Sequence, residues 1–382
     1  MSTTQPSTFS VRGVSVLRGS NVRRKNGKWT GLTLALAACA LIASAVRVTA
    51  DQIVVGGENY LGAKIVDLWD GHLQFRTVAG ELREPWISDV DRIVVDRGGS
   101  FVDFNEAERY LADGDAGRAI ERYRRALRLS RDFWTELVEV RLLVACLRAG
   151  RLREATRSYI HVVQGSRSGP GVAARLIPTE FPKKRSREAT QAIEELNAAI
   201  ADASDDDRRT LLHLLRFEIL RRIGDDKASE AAATLSALPI PLGARTPRAY
   251  GIQLAALETT LEAHADAATW TNLDRALEFC PESVLPSLLL LKGRTLLRTA
   301  ATRDEIIRAG WSFMRVVVHM SDDPRAAQGL YGAALVLERI GRGDKAMALL
   351  QECLDHKRIS EETRTLASAA LTRLRSGGGA SG

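Results

Sequence analysis

The spacing of hydrophobic residues changes once along the chain, close to residue 100. Between residues 51 and 97, short apolar runs alternate with polar positions at a period of two, which is typical of half-buried β-strands. From Phe104 onward, apolar positions recur every three or four residues, which is the spacing of amphipathic helices. The pattern therefore predicts a mostly α fold in which a small β module precedes a long helical region.

The β module is expected over residues 51–99. Asp70-Gly71 is a strong hairpin signal, because the turn requires positive φ angles. Five short strands in so few residues predict a curled sheet or a small barrel. The run from Gly62 to Phe75 resembles the SH3-like or Sm-like small barrels found before repeat domains in exported bacterial proteins. The predicted strands are Gln52–Val55, Ala63–Leu68, His72–Thr77, Leu82–Trp86 and Arg92–Val95.

An internal repeat runs through the helical region. A set of six positions, separated by 3, 4, 5, 4 and 3 residues, occurs three times, and the second copy is displaced by 36 residues from the first. Each set describes two helices joined by a glycine turn, in which small residues allow close approach and larger residues fill the groove beside them. The repeat-packing positions are Ala107, Tyr110, Gly114, Ala119, Tyr123 and Ala126; Leu143, Cys146, Gly150, Ala155, Tyr159 and Val162; and Ala334, Leu337, Gly341, Ala346, Leu350 and Cys353.

These copies resemble the tetratricopeptide repeat (TPR) family, best over Asp103–Ser130, Leu137–Val163 and Leu330–Leu354. The stretch from Trp311 to Leu374 resembles the repeats of Tol–Pal-associated envelope proteins. The resemblance implies an α-solenoid of helical hairpins and protein–protein binding as the activity. The family's Trp and Leu-Gly of the first helix are mostly absent, so its partner-binding residues are not carried over.

The helical region is interrupted by two predicted loops, of which the second is Leu238–Pro247 with its three prolines. TPR-like repeats are expected over residues 100–168 and degenerate copies over residues 187–375. Residues 169–186 contain three prolines and end in a basic run, which predicts a loop between helices. Residues 376–382 are rich in glycine and predict a flexible tail.

The first fifty residues have the three parts of a secretory signal. A basic cluster at residues 23–28 precedes the uncharged, mostly apolar stretch Trp29–Val46, and Val48-Thr49-Ala50 fits cleavage after Ala50. A cleaved signal peptide, an uncleaved N-terminal membrane anchor and lipidation at Cys39 all remain open. In each case the positive flank stays inside, so we expect the body of the chain in the periplasm or cell envelope.

The charge of the chain lies in that segment. The chain has 54 Lys and Arg against 47 Asp and Glu, a net charge of +7, and residues 1–50 hold seven basic residues and no acidic one. Residues 51–382 are therefore neutral overall, and the β module has five basic residues against nine acidic ones. Phosphate binding depends on Lys and Arg, so we expect no nucleic-acid partner. Membrane contact is expected only through residues 29–46, if they are uncleaved.

The sequence carries no known catalytic, cofactor or metal motif. Its six histidines are scattered without a second ligand at helical spacing, and no C-x-x-C occurs. Cys146, Cys280 and Cys353 lie in apolar helical patterns and are expected to be buried small hydrophobes. We therefore expect no catalytic residue, no metal and no cofactor.

The leading hypothesis is an exported, non-catalytic protein-interaction scaffold. A first alternative is a structural organiser of the envelope or peptidoglycan that docks through the β module, and a second is an enzyme of unrecognised class. In the scaffold hypothesis, residues on the first helices of the hairpins face the partner. The predicted partner-groove residues are Phe104, Glu108, Val144, Arg148, Tyr331, Leu335 and Glu338.

Overall fold

The computed structural model describes residues 51–69, 71–96, 101–165, 170–178 and 186–377. The predicted signal or anchor over residues 1–50 lies outside the described residues, as do residues 378–382 of the predicted tail. Within the described residues, none of the helices combines the length and the apolar character that a membrane span requires. The described residues belong to one compact unit.

The first element is a five-stranded antiparallel sheet with the strand order β4-β3-β2-β1-β5. Its longest strand is irregular at two places, and its first half pairs with β1 while its second half pairs with β3, so the sheet curls. This confirms a small antiparallel sheet ahead of the helices; the SH3-like or Sm-like likeness stays a prediction. The strands are β1 (Asp51–Val55), β2 (Glu58–Trp69), β3 (His72–Arg76), β4 (Leu82–Arg83) and β5 (Val90–Val94).

The rest of the described chain is helical, which confirms the predicted fold class. The N-terminal helices are α1 (Val102–Ala112), α2 (Ala116–Leu129), α3 (Phe133–Arg148), α4 (Leu152–Gly165), α5 (Pro170–Arg175), α6 (Arg187–Ala201), α7 (Asp206–Ile223) and α8 (Ala228–Ala237). The C-terminal helices are α9 (Pro247–Ala263), α10 (Ala267–Phe279), α11 (Leu285–Thr299), α12 (Arg303–His319), α13 (Ala326–Arg339), α14 (Gly343–Asp355) and α15 (Glu361–Gly377).

Consecutive helices pack as hairpins at the positions that the internal repeat picks out. Gly114, Gly150 and Gly341 each follow the first helix of a hairpin with φ between 66° and 81°, a conformation that favours glycine. The small residues opposite, such as Ala119 and Ala346, are fully buried where the two helices meet. The aromatic residues Tyr123 and Tyr159 are also fully buried, beside those contacts.

The first helices of successive hairpins lie in a row. Helix α9 contacts α7, α11 contacts α9, α13 contacts α11, and α15 contacts α13. The last helix buries one side and exposes polar residues on the other, as a terminal helix of a solenoid must. Side chains on the inner side of this row therefore form a continuous surface.

Part of the predicted loop is packed into the fold. Residues 170–178 form α5 and the turn after it, and Val172, Ala173 and Ile177 are almost completely buried against α7, α9 and the turn at residues 242–244. The prediction of a loop over residues 169–186 therefore does not describe this part. Proline is tolerated at the first position of a helix, which is the place of Pro170 in α5.

The sheet and the hairpins share one hydrophobic core. A single cluster of buried apolar residues extends from Ile53 in β1 to Leu291 in α11, and two smaller clusters continue it to Leu371 in α15. Strand β5 lies against α1, and β2 lies against α3. These clusters run through the described residues from the sheet to the last helix, so we expect the chain from residue 51 onward to fold on its own.

A buried ion pair joins the sheet to the first two hairpins. Arg141 of α3 donates to both carboxylate oxygens of Glu108 of α1, at 2.6 and 2.8 Å, and both side chains are almost completely buried. The Tyr123 hydroxyl donates to the same carboxylate at 2.5 Å. Burial alone would lower the pKa of Arg141, but the neighbouring Glu108 carboxylate raises it above its usual value, so the pair stays charged.

The remaining hydrogen-bonding capacity of this pair is used by strand β5. The backbone N–H of Ile93 donates to Glu108 Oε2 at 2.9 Å. The Arg141 guanidinium donates to the carbonyl oxygens of Val90 and Asp91, at 2.8 and 3.1 Å. The ion pair therefore supplies hydrogen-bond partners to backbone groups of β5, which would otherwise face the helices without partners.

We predict that Arg141→Met lowers the free energy of unfolding by about 3–5 kcal/mol, because it leaves the Glu108 carboxylate buried without its counter-ion. Arg141→Lys keeps the charge but not the planar fork, so it should cost less. The measurement is urea unfolding followed by circular dichroism. Arg124→Met is the control, because Arg124 forms ion pairs only at the surface and should cost less than about 1 kcal/mol. Equal stability of the Arg141→Met variant and the wild type would contradict the account.

Candidate partner-binding groove

Arginines near the ends of the first helices link each helix to the one before it. Arg148 of α3 donates to the carbonyl of Leu111 in α1 at 3.3 Å. Arg298 of α11 donates to the carbonyl of Leu261 in α9. These side chains satisfy carbonyl groups that a helix end leaves open, and their charge is favourable at the negative end of the helix dipole.

The next arginine in this series makes the same link further along the row. Arg339 of α13 donates to the carbonyl of Leu297 and, at 2.8 Å, to that of Ala300. Arg148 and Arg339 each stand two residues before the glycine of their turn. The repeat thus places guanidinium groups along one edge of the row of first helices.

The side chain of Phe313, on the second helix of its hairpin, forms the floor between α11 and α13. The ring of Phe313 in α12 lies so close to Gly293 and Gly332 that a Cβ atom at either glycine would stand less than 3 Å from it. A larger residue at Gly293 or Gly332 would push this ring out of place. The two glycines therefore let the Phe313 ring enter between two first helices.

A groove of about 560 Å³ opens above this floor, between α11, α13 and α15. Its walls combine apolar side chains with arginines, and a few polar groups complete them. A cleft of this size and mixture is typical of a binding site. The lining residues are Leu290, Arg294, Leu297, Arg298, Phe313, Gln328, Tyr331, Gly332, Leu335, Arg339, Glu362, Thr363 and Leu366.

The groove carries positive charge that its own carboxylates do not neutralise. Arg294 is paired with Glu258 at 2.8 Å. Arg298 and Arg339 bond only to backbone carbonyls and have no carboxylate partner among the described residues. Glu362, on the opposite wall, is exposed to solvent. The site is therefore suited to a group that brings both apolar surface and a negative charge.

Two of the predicted groove residues line this cleft, and a third lies beside it. Tyr331 and Leu335 are half-buried in its wall on α13, and burial raises the pKa of the Tyr331 hydroxyl. Glu338, one turn further on, accepts from Arg373 of α15 at 2.7 Å. This ion pair ties the last helix to α13 and so fixes the width of the groove.

The predicted groove residues of the first two hairpins do not come together with these. Phe104 and Glu108 are almost completely buried and have no surface to offer a partner, because the sheet covers their helix. Val144 is half-buried and packs against the core, and Arg148 is exposed at a helix end. Of the seven predicted residues, the structure therefore brings only Tyr331 and Leu335 together in an open groove, with Glu338 beside it.

Arg298, Arg339 and Leu366 line the groove and were not singled out by the sequence. The two arginines carry a usable signal, since they stand near a hairpin turn as Arg148 does. Leu366 carries no comparable signal, because its role depends on how α15 packs.

Burial disfavours the thiolate form of the three cysteines in the described part of the chain. Cys146 and Cys353 are buried, and burial raises the pKa of their thiols to about 12 and about 11. Cys280 is half-buried, and burial raises its pKa as well. Within the described residues, no group of three or more His, Cys, Asp and Glu side chains is placed to hold a metal ion.

One histidine is held neutral by its surroundings. Burial of the His213 ring in α7 lowers its pKa to about 4, and the nearby Arg216 and Arg209 act in the same direction. Its Nδ1 atom is buried without a hydrogen-bond partner among the described residues. Protonation of this ring in the folded state is therefore unfavourable near neutral pH.

We predict that the stability of the chain falls as the pH is lowered from 6.5 to 4, in part because of His213. In this range the unfolded chain binds a proton at position 213 that the folded chain does not bind, so the free energy of unfolding decreases. His213→Gln should flatten this dependence in urea-unfolding curves measured at a series of pH values. His319→Gln, at an exposed position, is the control for the substitution itself. Equal slopes for wild type and His213→Gln would refute the assignment.

Comparison with known proteins adds a likeness to a repeat protein. No protein-family model and no curated protein matches the chain. Among solved structures, the chain is similar to the crystal structure of a thermophilic TPR protein from Thermus thermophilus. The match covers 72% of this chain and 100% of that chain, with 14% sequence identity and a TM-score of 0.23. A TM-score this low carries no argument, so the helical-hairpin fold stands on the turns, packing positions and contacts described above.

Proposed function

We propose that this protein is an exported, non-catalytic scaffold that binds a protein partner in the groove between α11, α13 and α15. The observation that carries the proposal is the combination of apolar walls with the two arginines, Arg298 and Arg339, whose charge no described carboxylate neutralises. Stacked helical hairpins bind extended segments or helices of other proteins along their first helices. The groove lies on those helices.

Other elements of the chain pack against the first helices outside the groove, which supports placing the partner site in the groove. Strands β5 and β2 lie against α1 and α3, and α5 lies against α7 and α9. Arg175, at the end of α5, stacks over the ring of Trp86 in the sheet, with its guanidinium carbon 3.6 Å from the ring centroid. The sheet and α5 thus form a continuous cover, and the first helices beyond it are left for a partner.

The groove also indicates the chemistry of the partner segment. Leu290, Leu335 and Leu366 favour large apolar side chains, while Arg298 and Arg339 favour a carboxylate placed at the edge of the site. Both arginines are already oriented by their bonds to helix-end carbonyls, so little conformational entropy is lost when an anion binds. The preferred segment therefore combines large apolar residues with Asp, Glu or a terminal carboxylate.

Export is supported by the sequence of residues 1–50, whose basic, apolar and small-residue parts follow the order of a secretory signal. The neutral charge of residues 51–382 fits a protein partner better than a nucleic acid. A structural role in the envelope, with the sheet as the docking element, is a second candidate, favoured by the exposed apolar side chains of the sheet.

The test is selection of peptides from a random displayed library against the chain from residue 51 onward. We expect the selected peptides to share apolar residues beside an acidic one. Leu366→Lys should weaken their binding roughly tenfold or more, because it removes apolar burial and places a cation among the arginines. Leu366 is already 45% exposed, so the change should leave the fold intact.

Val318→Lys is the matched control, because Val318 is an exposed aliphatic residue of α12 outside the groove. Replacing the acidic residue of a selected peptide by its amide should weaken binding to the wild type and make it less sensitive to salt. Failure to select any peptide, or equal loss of binding in Leu366→Lys and Val318→Lys, would overturn the proposal.

A further inference from the structure

A second, smaller pocket lies apart from the groove. Its volume is about 100 Å³. It is lined by the second helices of two hairpins, α8 and α10, together with α9 and the loop that joins α8 to α9. None of its lining residues belongs to the groove, so the two sites are separate.

One wall of this pocket is the proline-containing loop between α8 and α9. Pro239 and Ile240 lie in the wall, and the Ile240 side chain is almost completely buried in the core. Proline fixes its own φ angle, so this part of the backbone has few conformations to exchange. The fold therefore sets the shape of the pocket in advance, as in most ligand sites.

Backbone carbonyls at the two helix ends, which would repel an anion, are satisfied by side chains of α9. The Gln253 amide donates to the carbonyl of Leu238 at 2.8 Å, directly after the end of α8. The Tyr250 hydroxyl donates to the carbonyl of Phe279 at 2.8 Å, at the end of α10. These bonds offset part of the negative charge that a helix carries at its C-terminal end.

Two arginines bring positive charge to the pocket. Arg275 of α10 donates to the carbonyl of Ala237 at 3.3 Å, and its other N–H groups have no partner among the described residues. The guanidinium carbon of Arg245 lies 5.1 Å from the centroid of the Phe279 ring, and no described residue accepts a hydrogen bond from this side chain. Its Nε atom is buried, where an unmet hydrogen bond is costly.

Within the described residues, no carboxylate lines this pocket. Asp274, beside Arg275 in the sequence, is paired with Lys292 at 2.7 Å, and Glu278 is exposed outside the lining. The amide of Asn272, which does line the pocket, has no hydrogen-bond partner in the described part of the chain. The unused groups are therefore two guanidinium groups and an amide, a set that suits an oxyanion.

The volume and the walls limit what this oxyanion can be. A cavity of about 150 Å³ holds a benzene ring, so a pocket of about 100 Å³ holds about four or five non-hydrogen atoms. Leu238, Ile240 and Phe279 add apolar surface, which favours a short hydrocarbon body next to the charge. A planar guanidinium can bond to both oxygens of a carboxylate at once.

From these observations we propose that this pocket is a binding site for a small carboxylate, which Arg245 and Arg275 hold while its short apolar end lies against Leu238 and Phe279. The carboxylate belongs either to a free small acid or to an Asp or Glu side chain of a polypeptide, since both present the same group. The inference is independent of the proposed partner groove, because the two sites share no residue.

The experiment is titration of the purified protein with propionate at constant ionic strength, followed by the NMR signals of the arginine Nε–H groups. The signals of Arg245 and Arg275 should shift to saturation with a dissociation constant in the millimolar range. Propionamide has the same shape without the charge and should leave both signals in place. Arg245→Gln should weaken propionate binding at least tenfold, because it removes a charge-assisted hydrogen-bond donor.

Arg275→Gln is a second variant with the same expected direction, and it keeps the test decisive if Arg245→Gln lowers stability, because Arg275 is exposed. Arg315→Gln is the matched control, because Arg315 is an exposed arginine of α12 outside the pocket. It should bind propionate as the wild type does.

The source of the carboxylate is identified with N-acetylglutamate α-methylamide, whose only carboxylate is on the side chain. Saturable binding that depends on Arg245 supports an acidic side chain of a polypeptide as the ligand, and binding of propionate alone supports a free acid. The proposal is overturned if neither compound gives a saturable shift, or if propionamide shifts the same signals equally. It is also overturned if Arg315→Gln loses as much binding as Arg245→Gln and Arg275→Gln.

Discussion

The buried ion pair between Glu108 and Arg141 decides how this chain is organised. Two charges taken out of water are costly unless each is paired and fully hydrogen-bonded. Here the Tyr123 hydroxyl donates to Glu108, and both charged groups bond to the backbone of β5. Removing the strand would therefore leave part of their hydrogen-bonding capacity unsatisfied. The sheet is thereby held in one position against α1 and α3, and it behaves as the first layer of the solenoid.

That position determines which surfaces remain for other molecules. The sheet covers the first helices at the N-terminal end of the row, and α5 covers α7 and α9. The open groove is consequently displaced to α11, α13 and α15, where small residues admit the ring of Phe313 and arginines line the edge. No described helix covers the opposite side of the sheet, because the helices pack against its inner side. The position of the sheet against the helices thus accounts for both exposed surfaces, the groove and the opposite side of the sheet.

The hairpins could be predicted from the sequence because their cause is local. A glycine with positive φ ends the first helix, and small residues a fixed distance away allow the second helix to pack against it. The location of the groove could not be predicted in the same way. Glu108 and Tyr331 both lie on first helices of hairpins. Only tertiary packing determines that Glu108 is buried under the sheet while Tyr331 stays half-buried in the groove. Proline at residue 170 suggested a loop, whereas the buried side chains after it stabilise a helical turn.

Hydrogen exchange of backbone amides tests the central claim most directly. If the ion pair fixes the sheet to the helices, the amides of β5, above all that of Ile93, and those in the middle of α3 should exchange through the same opening, with equal opening free energies. Destabilisation by low concentrations of urea should then affect both groups equally. Exchange of the β5 amides through a separate, lower-energy opening, while α3 stays protected, would show that the sheet is an independent module and would contradict the account.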